Sequence, residues 1–414
     1  MRVLVMGGGV VGVTTAYQLL RDGHEVVLTE RRENAALEAS WGNAGMIAPG
    51  HSFAWSSPQA PMILLKSLFL KDQSLRFRPS ADPRLWSWSL KFLMQCTRAR
   101  ARTNTLRKHR LCVYSQNVLH ETLVDAGLEF DRISRGILYF HRSQEALDRG
   151  AAHMKILAED GQEIRVLNRD QVVNLEPSLS SARHEIAGGI YCPTDETGDC
   201  GKFTQGLAAL CQRRGAEFRY NTEILGVDLA GDRIAGVRTS NGPVKADAYV
   251  LSLGNDSPIL ARGIGVNLPI YPIKGYSLTI PVGNHQHSPT IGSVDEHNLV
   301  AMSRFGDRVR VTATAEFAGY DRSHKPGDFS HMMRVVRSLY PDGADYDRAQ
   351  YWAGLRPMTP EGTPILGQGR HRNLYFNTGQ GHMGWTMSHA SARITADLIA
   401  GKPPAIPLDG MTVR

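Results

Sequence analysis

The chain has 414 residues, 42% of them hydrophobic and 21% charged, which excludes a disordered polymer, and the length leads us to expect two domains. Its net charge of +7 is diffuse and comes with no RNP, KH or zinc-knuckle pattern, which argues against a nucleic-acid-binding protein. The five cysteines form no CxxC pair, no apolar run reaches the roughly 20 residues of a membrane span, and a strand from residue 2 leaves no room for a leader, so a reduced, cytoplasmic setting is expected.

Residues 3–6 form a short apolar run bounded by glycine and read as a buried strand. Gly7, Gly9 and Gly12 then give G-x-G-x-x-G, with an apolar helical segment opening at Val10 and Val11 and stopped near Gly23. A second strand at 25–28 leads to Glu30 and Arg31. Strand, glycines, helix, strand and acid in this order are the fingerprint of an adenine dinucleotide site. The first glycine permits the turn, the second lets backbone approach a pyrophosphate, and the third lets helix and strand pack closely. The helix N-terminus receives the phosphate charge, and Glu30 stands where a carboxylate accepts from ribose hydroxyls.

Residues 34–50 form a loop of small side chains with Ser40, Asn43, Ala44, Gly45 and Ile47. It reads either as a ligand-binding loop with amides that approach closely or as an ordinary connection. From 58 to 110 the character changes. PMILLKSLFL and WSWSLKFLM place apolar side chains at helical spacing, and a basic run follows: Lys91, Arg98, Arg100, Arg102, Arg107, Lys108 and Arg110. This is either a pair of helices packed on the body of the protein or a peripheral seat on an anionic bilayer.

Strands are expected at 132–141 and 188–193, with a helix at 143–159 between them. The acidic turn at 195–199 lacks further ligands at EF-hand spacing, so no metal is expected. A helix at 202–213 and short strands at 217–220, 224–227 (opening at Ile224), 233–239 and 244–246 precede a buried strand that ends at Gly254. Residues 268–282 and 299–317 alternate as in an antiparallel sheet. Residues 332–339 read as a helix and 351–360 as a rigid turn that carries Arg356. The strand at 373–378 ends in Gly379-Gln380-Gly381-His382-Met383-Gly384-Trp385-Thr386, which opens a last helix. Glycine-rich elements thus recur late in the chain, as expected for a cofactor buried along its whole length.

The pieces MRVLVMGGGVVGV, Asn43-Ala44-Gly45, PTDETGDC, YPIKGYSLTI, GLRPMTPEGTP and NTGQGHMGWT resemble, in order and over nearly the whole chain, the FAD-dependent oxidoreductases of the D-amino-acid oxidase family. The resemblance implies an α/β protein with a Rossmann-type, GR2-like FAD domain and a second, mainly antiparallel β substrate domain. The FAD domain is expected to be discontinuous (1–50, 185–265, 350–414), with 51–184 and 266–349 forming the other and a helical insertion at about 58–110. The cofactor is expected to be FAD, held non-covalently by Gly7, Gly9, Val10, Val11, Gly12, Glu30 and Arg31, by Ser40, Asn43, Ala44, Gly45 and Ile47, by Ile224 and Gly254, and by Gly379, His382, Met383, Gly384, Trp385 and Thr386.

The implied reaction is oxidation of a D-amino acid at its α-carbon, followed by hydrolysis to a 2-oxo acid and ammonia. Arg356 matches the family's carboxylate-binding arginine. Tyr276, with Lys274 on the same strand face, and His382 are further candidates for the catalytic pocket, and Arg304 and Tyr271 are weighed beside them. No residue is required to act as base. The expected acceptor is a quinone or the respiratory chain, reached from a peripheral seat on the inner face of the cell membrane. The alternatives are an oxidase of the glycine, sarcosine or D-amino-acid type that uses O2, and a proline or hydroxyproline dehydrogenase.

Overall fold

The computed structural model describes residues 1–67, 75–78 and 80–413. The fingerprint stretch folds as β1 (Arg2–Met6), α1 (Val10–Arg21) and β2 (Glu25–Thr29). β1 is central in a six-stranded sheet ordered Ile365–Gln368, Leu374–Thr378, Ala248–Leu251, β1, β2, Glu217–Arg219. Every pairing is parallel except that of Ile365–Gln368. A parallel strand covered on both faces must be apolar throughout, which is why Val3, Leu4, Val5 and Met6 are all fully buried. Gly12 joins α1 to this sheet: a Cβ there would stand 1.9 Å from the Gly7 carbonyl oxygen.

Among the described residues the second sheet has nine strands. Its main path begins at Gln350–Met358, passes through Tyr271–Pro281, Arg308–Phe317, Val300–Phe305, Gly292–Asp295, Ile137–His141 and Gly188–Cys192, and ends at Arg165–Asn168. It is antiparallel except where Gly292–Asp295 meets Ile137–His141 and where Leu75–Phe77 joins the end of Arg308–Phe317. We label Tyr271–Pro281 β3, Arg308–Phe317 β4 and Gln350–Met358 β5.

Two expectations are corrected here. The stretch expected as a rigid turn is β5, which pairs with β3 from Thr279–Gln350 to Tyr271–Met358. Gly354 and Pro357 suggest a turn locally, but β5 is an edge strand, where a missing N–H costs little. Strands Gly188–Cys192 and β5, which the expected segmentation put with the cofactor domain, hydrogen-bond into the nine-stranded sheet instead.

The insertion supplies helices α2 (Pro83–Gln95) and α3 (Arg98–Ala126). α2 buries Leu85, Trp88 and Phe92 and leaves Trp86, Leu90, Leu93 and Met94 exposed. Ahead of it, the helix Ala60–Ser67 exposes Met62, Ile63 and Leu65; Leu68, Phe69 and Leu70 of the same apolar stretch lie outside the described residues. The basic run does not form one surface. Lys108 is fully buried and donates to the Phe53 carbonyl (2.7 Å), while Arg102 and Arg110 pair with Glu159 (3.3 Å) and Asp160 (2.9 Å). A 29-residue helix turns every side in succession, so its basic residues divide among core, ion pairs and solvent. Among the described residues, no helix is long and apolar enough to cross a membrane.

Candidate functional site

A cavity of about 830 Å³ runs between the two sheets, of a size for a dinucleotide and a small substrate. Gly7, Gly9, Val10 and Val11 line one stretch of it. Gly7 has φ +111°, which no other residue type adopts comfortably. The Val10 amide donates to Ser40 Oγ (3.0 Å), so the loop after β2 is tied to the helix start. Glu30 lines the wall beside it, and its carboxylate is fixed by the amides of Gly8 (2.7 Å) and Arg32 (2.9 Å). Arg31, also in the lining, pairs with Asp256 at 2.9 Å. Ile224 and Gly254 complete this end.

At the other end stand Asn43, Ala44 and Gly45, and the segment Gly381–Thr386 at the start of α4 (Gly384–Ile399). The positive end of α4 therefore faces the cavity. Thr386 Oγ1 accepts from the Ala48 amide (3.2 Å) and donates to the Met46 carbonyl (3.2 Å), which ties the two segments together. An acid for ribose, a glycine-lined helix start for pyrophosphate and a second helix start for an electron-rich ring follow one another along a single cavity. This donor set fits FAD.

Of the remaining cofactor candidates, Gly12, Ile47 and Gly379 do not line the cavity. Gly12 packs helix on strand, Ile47 is buried in a short ladder opposite Glu196, and Gly379 makes a left-handed turn at φ +78°.

Arg356 on β5 lines the wall. Its Nη1 donates to the Thr314 carbonyl (3.0 Å), and no carboxylate among the described residues pairs with it. Burial pulls its pKa down to about 10. It is still a cation at neutral pH, now without a counterion. Gly275 makes room for it, since a Cβ there would lie 2.6 Å from Cζ. Thr314 is the extra residue of a bulge: Gly275 pairs with Ala315 but Tyr276 pairs with Ala313. Its φ of +63° is strained for a β-branched residue.

Tyr276 lines the cavity, but its hydroxyl donates to Glu316 Oε2, and burial with that carboxylate raises its pKa. Lys274 does not line the cavity. Its ammonium sits 5.4 Å from the Tyr276 ring and is held by Asp321 (3.2 Å), Glu316 (3.9 Å) and the Ser323 carbonyl. The two do share a face, as alternation requires, but the carboxylates behind the sheet hold the lysine there.

His382 lines the cavity and stacks on Trp55 with ring centroids 4.7 Å apart. Its Nε2 is buried without a partner among the described residues. Burial first, then the charges of Lys108, His51 and Arg356, hold its pKa well below the ordinary histidine value. Arg304 is turned to Gly306 and His285, and Tyr271 packs near Trp88; neither lines the cavity.

Sequence reasoning missed three aromatic residues of the wall. His51 pairs with Glu296 (3.3 Å) and stacks on Tyr139, Trp55 shields His382, and Trp352 fills the space that a Cβ on Gly42 or Gly354 would occupy. Only Trp352 carried a signal, as part of the YWAGLRP run.

Residues 2–398 match the FAD dependent oxidoreductase family. A D-amino acid dehydrogenase 2 of Mesorhizobium japonicum is 46% identical over 412 residues, which cover 99% of each chain. A D-amino acid dehydrogenase of Paramagnetospirillum magneticum is 45% identical over 416 residues, covering 100% of this chain and 98% of that one. Among solved structures, glycine oxidase from Geobacillus kaustophilus has a TM-score of 0.76 at 22% identity, covering 100% of this chain and 98% of the other. L-proline dehydrogenase from P. horikoshii has a TM-score of 0.75 at 18% identity, covering 100% and 96%. The likeness to these two is one of fold. The chain belongs to the FAD-dependent oxidoreductase family, and FAD is the dinucleotide that its cavity takes.

Proposed function

We propose that this protein oxidises D-amino acids to 2-oxo acids and ammonia and passes the electrons to a quinone or another acceptor of the respiratory chain. The observation that carries the reading is Arg356, a cation with no carboxylate partner among the described residues, in the wall of a flavin cavity. When bound, the flavin supplies the acceptor for a hydride from the substrate α-carbon.

The chain's own residues have three tasks. Arg356 offers its remaining guanidinium donors to the substrate carboxylate, a planar two-point contact that also orients the α-carbon. With the flavin bound, the first-turn amides of α4 would offer hydrogen-bond donors to its electron-rich ring. Trp55 and Trp352 exclude water from the wall. The substrate ammonium loses a proton to solvent to give the neutral amine. Once the α-carbon hydride has gone to the acceptor, the product is an imino acid, which water hydrolyses to the 2-oxo acid and ammonia. The choice of D-amino acids and of a non-oxygen acceptor is supported by the relatives, which are named D-amino acid dehydrogenases.

A peripheral membrane seat is supported by the exposed apolar side chains Met62, Ile63, Leu65, Trp86, Leu90, Leu93 and Met94, with Arg98 and Arg100 exposed beside them. The test is steady-state turnover on a panel of D- and L-amino acids, including proline and hydroxyproline, with O2 and with a soluble quinone analogue. Faster turnover with O2 would assign an oxidase. Preference for L-proline would assign a proline dehydrogenase.

A further inference from the structure

Arg310 on β4 is 3% exposed, and no carboxylate among the described residues forms an ion pair with it. Asp199, whose charge reaches it, is taken by Arg308 (2.8 Å) and the Lys202 amide (3.0 Å). A buried guanidinium without a counterion is costly unless its donors are used. Arg310 uses them on the cofactor loop. Nη1 donates to the carbonyls of Trp41 (2.9 Å) and Asn43 (2.8 Å), and Nε is steadied by Thr279 Oγ1 (3.0 Å).

The consequence lies on the other side of the loop. With two carbonyls drawn onto Arg310, the amides of Asn43 and Ala44 have no partner among the described residues, and both residues line the cavity. The Asn43 side chain takes the Gly45 amide (2.8 Å), which closes the turn. This part of the loop lies at the reactive end. Gly42 abuts Trp352, four residues before Arg356 on β5, and Met46 is tied to Thr386 at the start of α4. A loop with its acceptors turned away and its donors left free is an electrophilic surface for an electron-rich ring.

We propose that Arg310 is a positioning residue for the flavin. From the opposite sheet it holds the loop so that amide donors face the cofactor, and it thereby raises the affinity for FAD and the ease with which the bound flavin is reduced. The proposal rests on FAD as the cofactor, not on which amino acid is oxidised.

The test uses Arg310→Lys and Arg310→Met holoenzymes. It measures FAD dissociation by recovery of flavin fluorescence and midpoint potential by equilibration with reference dyes, with the melting temperature recorded alongside. The expected result is at least a tenfold loss of FAD affinity. The potential should fall by about 30 mV or more, which is a tenfold weaker preference for the reduced form in a two-electron couple. Should neither variant fold, Thr279→Val, which frees only the Nε end, should lower the potential in the same direction by a smaller amount. A potential unchanged in every folded variant overturns the proposal whatever the affinity or melting temperature does, since a merely structural arginine would move those alone.

Discussion

Arg356 and Thr314 are joined by one hydrogen bond, from Nη1 to the Thr314 carbonyl at 3.0 Å, and Thr314 is the residue that the bulge in β4 leaves unpaired. Without the bulge, that carbonyl would belong to the ladder with β3. Its left-handed turn aims it at the guanidinium, fixing one edge of Arg356 and leaving the remaining donors for a ligand. Replacing Arg356 with Lys keeps the charge but loses the planar fork. We expect KM for the amino acid to rise strongly and kcat to fall, together costing roughly 2–5 kcal/mol of transition-state stabilisation. Wild-type kinetics in Arg356→Lys would remove it from the site.

Gly275→Ala approaches the same group from behind. The added Cβ would meet the guanidinium at 2.6 Å, and a flexible side chain yields before backbone does. The expected outcome is about a tenfold rise in KM with a melting temperature within a few degrees of wild type, about 1 kcal/mol at most. A large loss of stability with unchanged KM would mean that the sheet, not the arginine, absorbs the clash.

The exposed face of α2 makes the peripheral seat testable. Leu90→Asp puts a carboxylate among Trp86, Leu93 and Met94, so binding to anionic vesicles should weaken, while turnover with a soluble quinone analogue should not change. Wild-type binding should also fall as salt rises. Equal binding by both proteins would dismiss this face as the seat.

Flavin should leave the denatured protein. None of the five cysteines lines the cavity, and the histidines that do, His51 and His382, are engaged with Glu296 and Trp55. Acid precipitation should give a yellow supernatant. A coloured pellet that resists washing would show a covalent link.

Asp195 gives a pH dependence of stability. It is fully buried and accepts from the Gly50 amide (3.0 Å) and the Tyr139 hydroxyl (2.8 Å), and burial raises its carboxyl to about 7 from an ordinary 3.8. The protonated form is the one that the fold prefers. Its contribution is therefore full below about pH 4 and declines as pH rises toward 7, by on the order of 4 kcal/mol. Asp195→Asn cannot titrate, so its stability relative to wild type should rise across that range. Parallel unfolding curves from pH 4.5 to 7.5 would contradict this.

What could be read in the sequence was whatever depends on neighbours along the chain. The fingerprint from Val3 to Glu30 is such a case, because its turn, helix start and packing glycine all act within 30 residues. β5 was hidden because Gly354 and Pro357 suggest a turn until an edge position is known. The environment of Lys274 depends on Glu316 and Asp321, more than 40 residues away. Lys108 looked like surface charge because its neighbours in sequence are basic, whereas the rotation of α3 sends it into the core. His51 and Trp55 stand in a segment without periodicity, and only the folded cavity shows what they face.

The order of strands in the six-stranded sheet also governs how the protein is made. β1 pairs with Ala248–Leu251, and that strand pairs in turn with Leu374–Thr378. Translation at 5–20 residues per second separates the first strand from the last by roughly 20–75 s. During that interval the fingerprint has emerged from the ribosome, but the loop Gly381–Thr386 and α4, which close the far end of the cavity, do not yet exist. A nascent chain that stops short of Gly381 therefore has half a flavin site and an open sheet edge, and the cavity that takes the cofactor is complete only once α4 has been made.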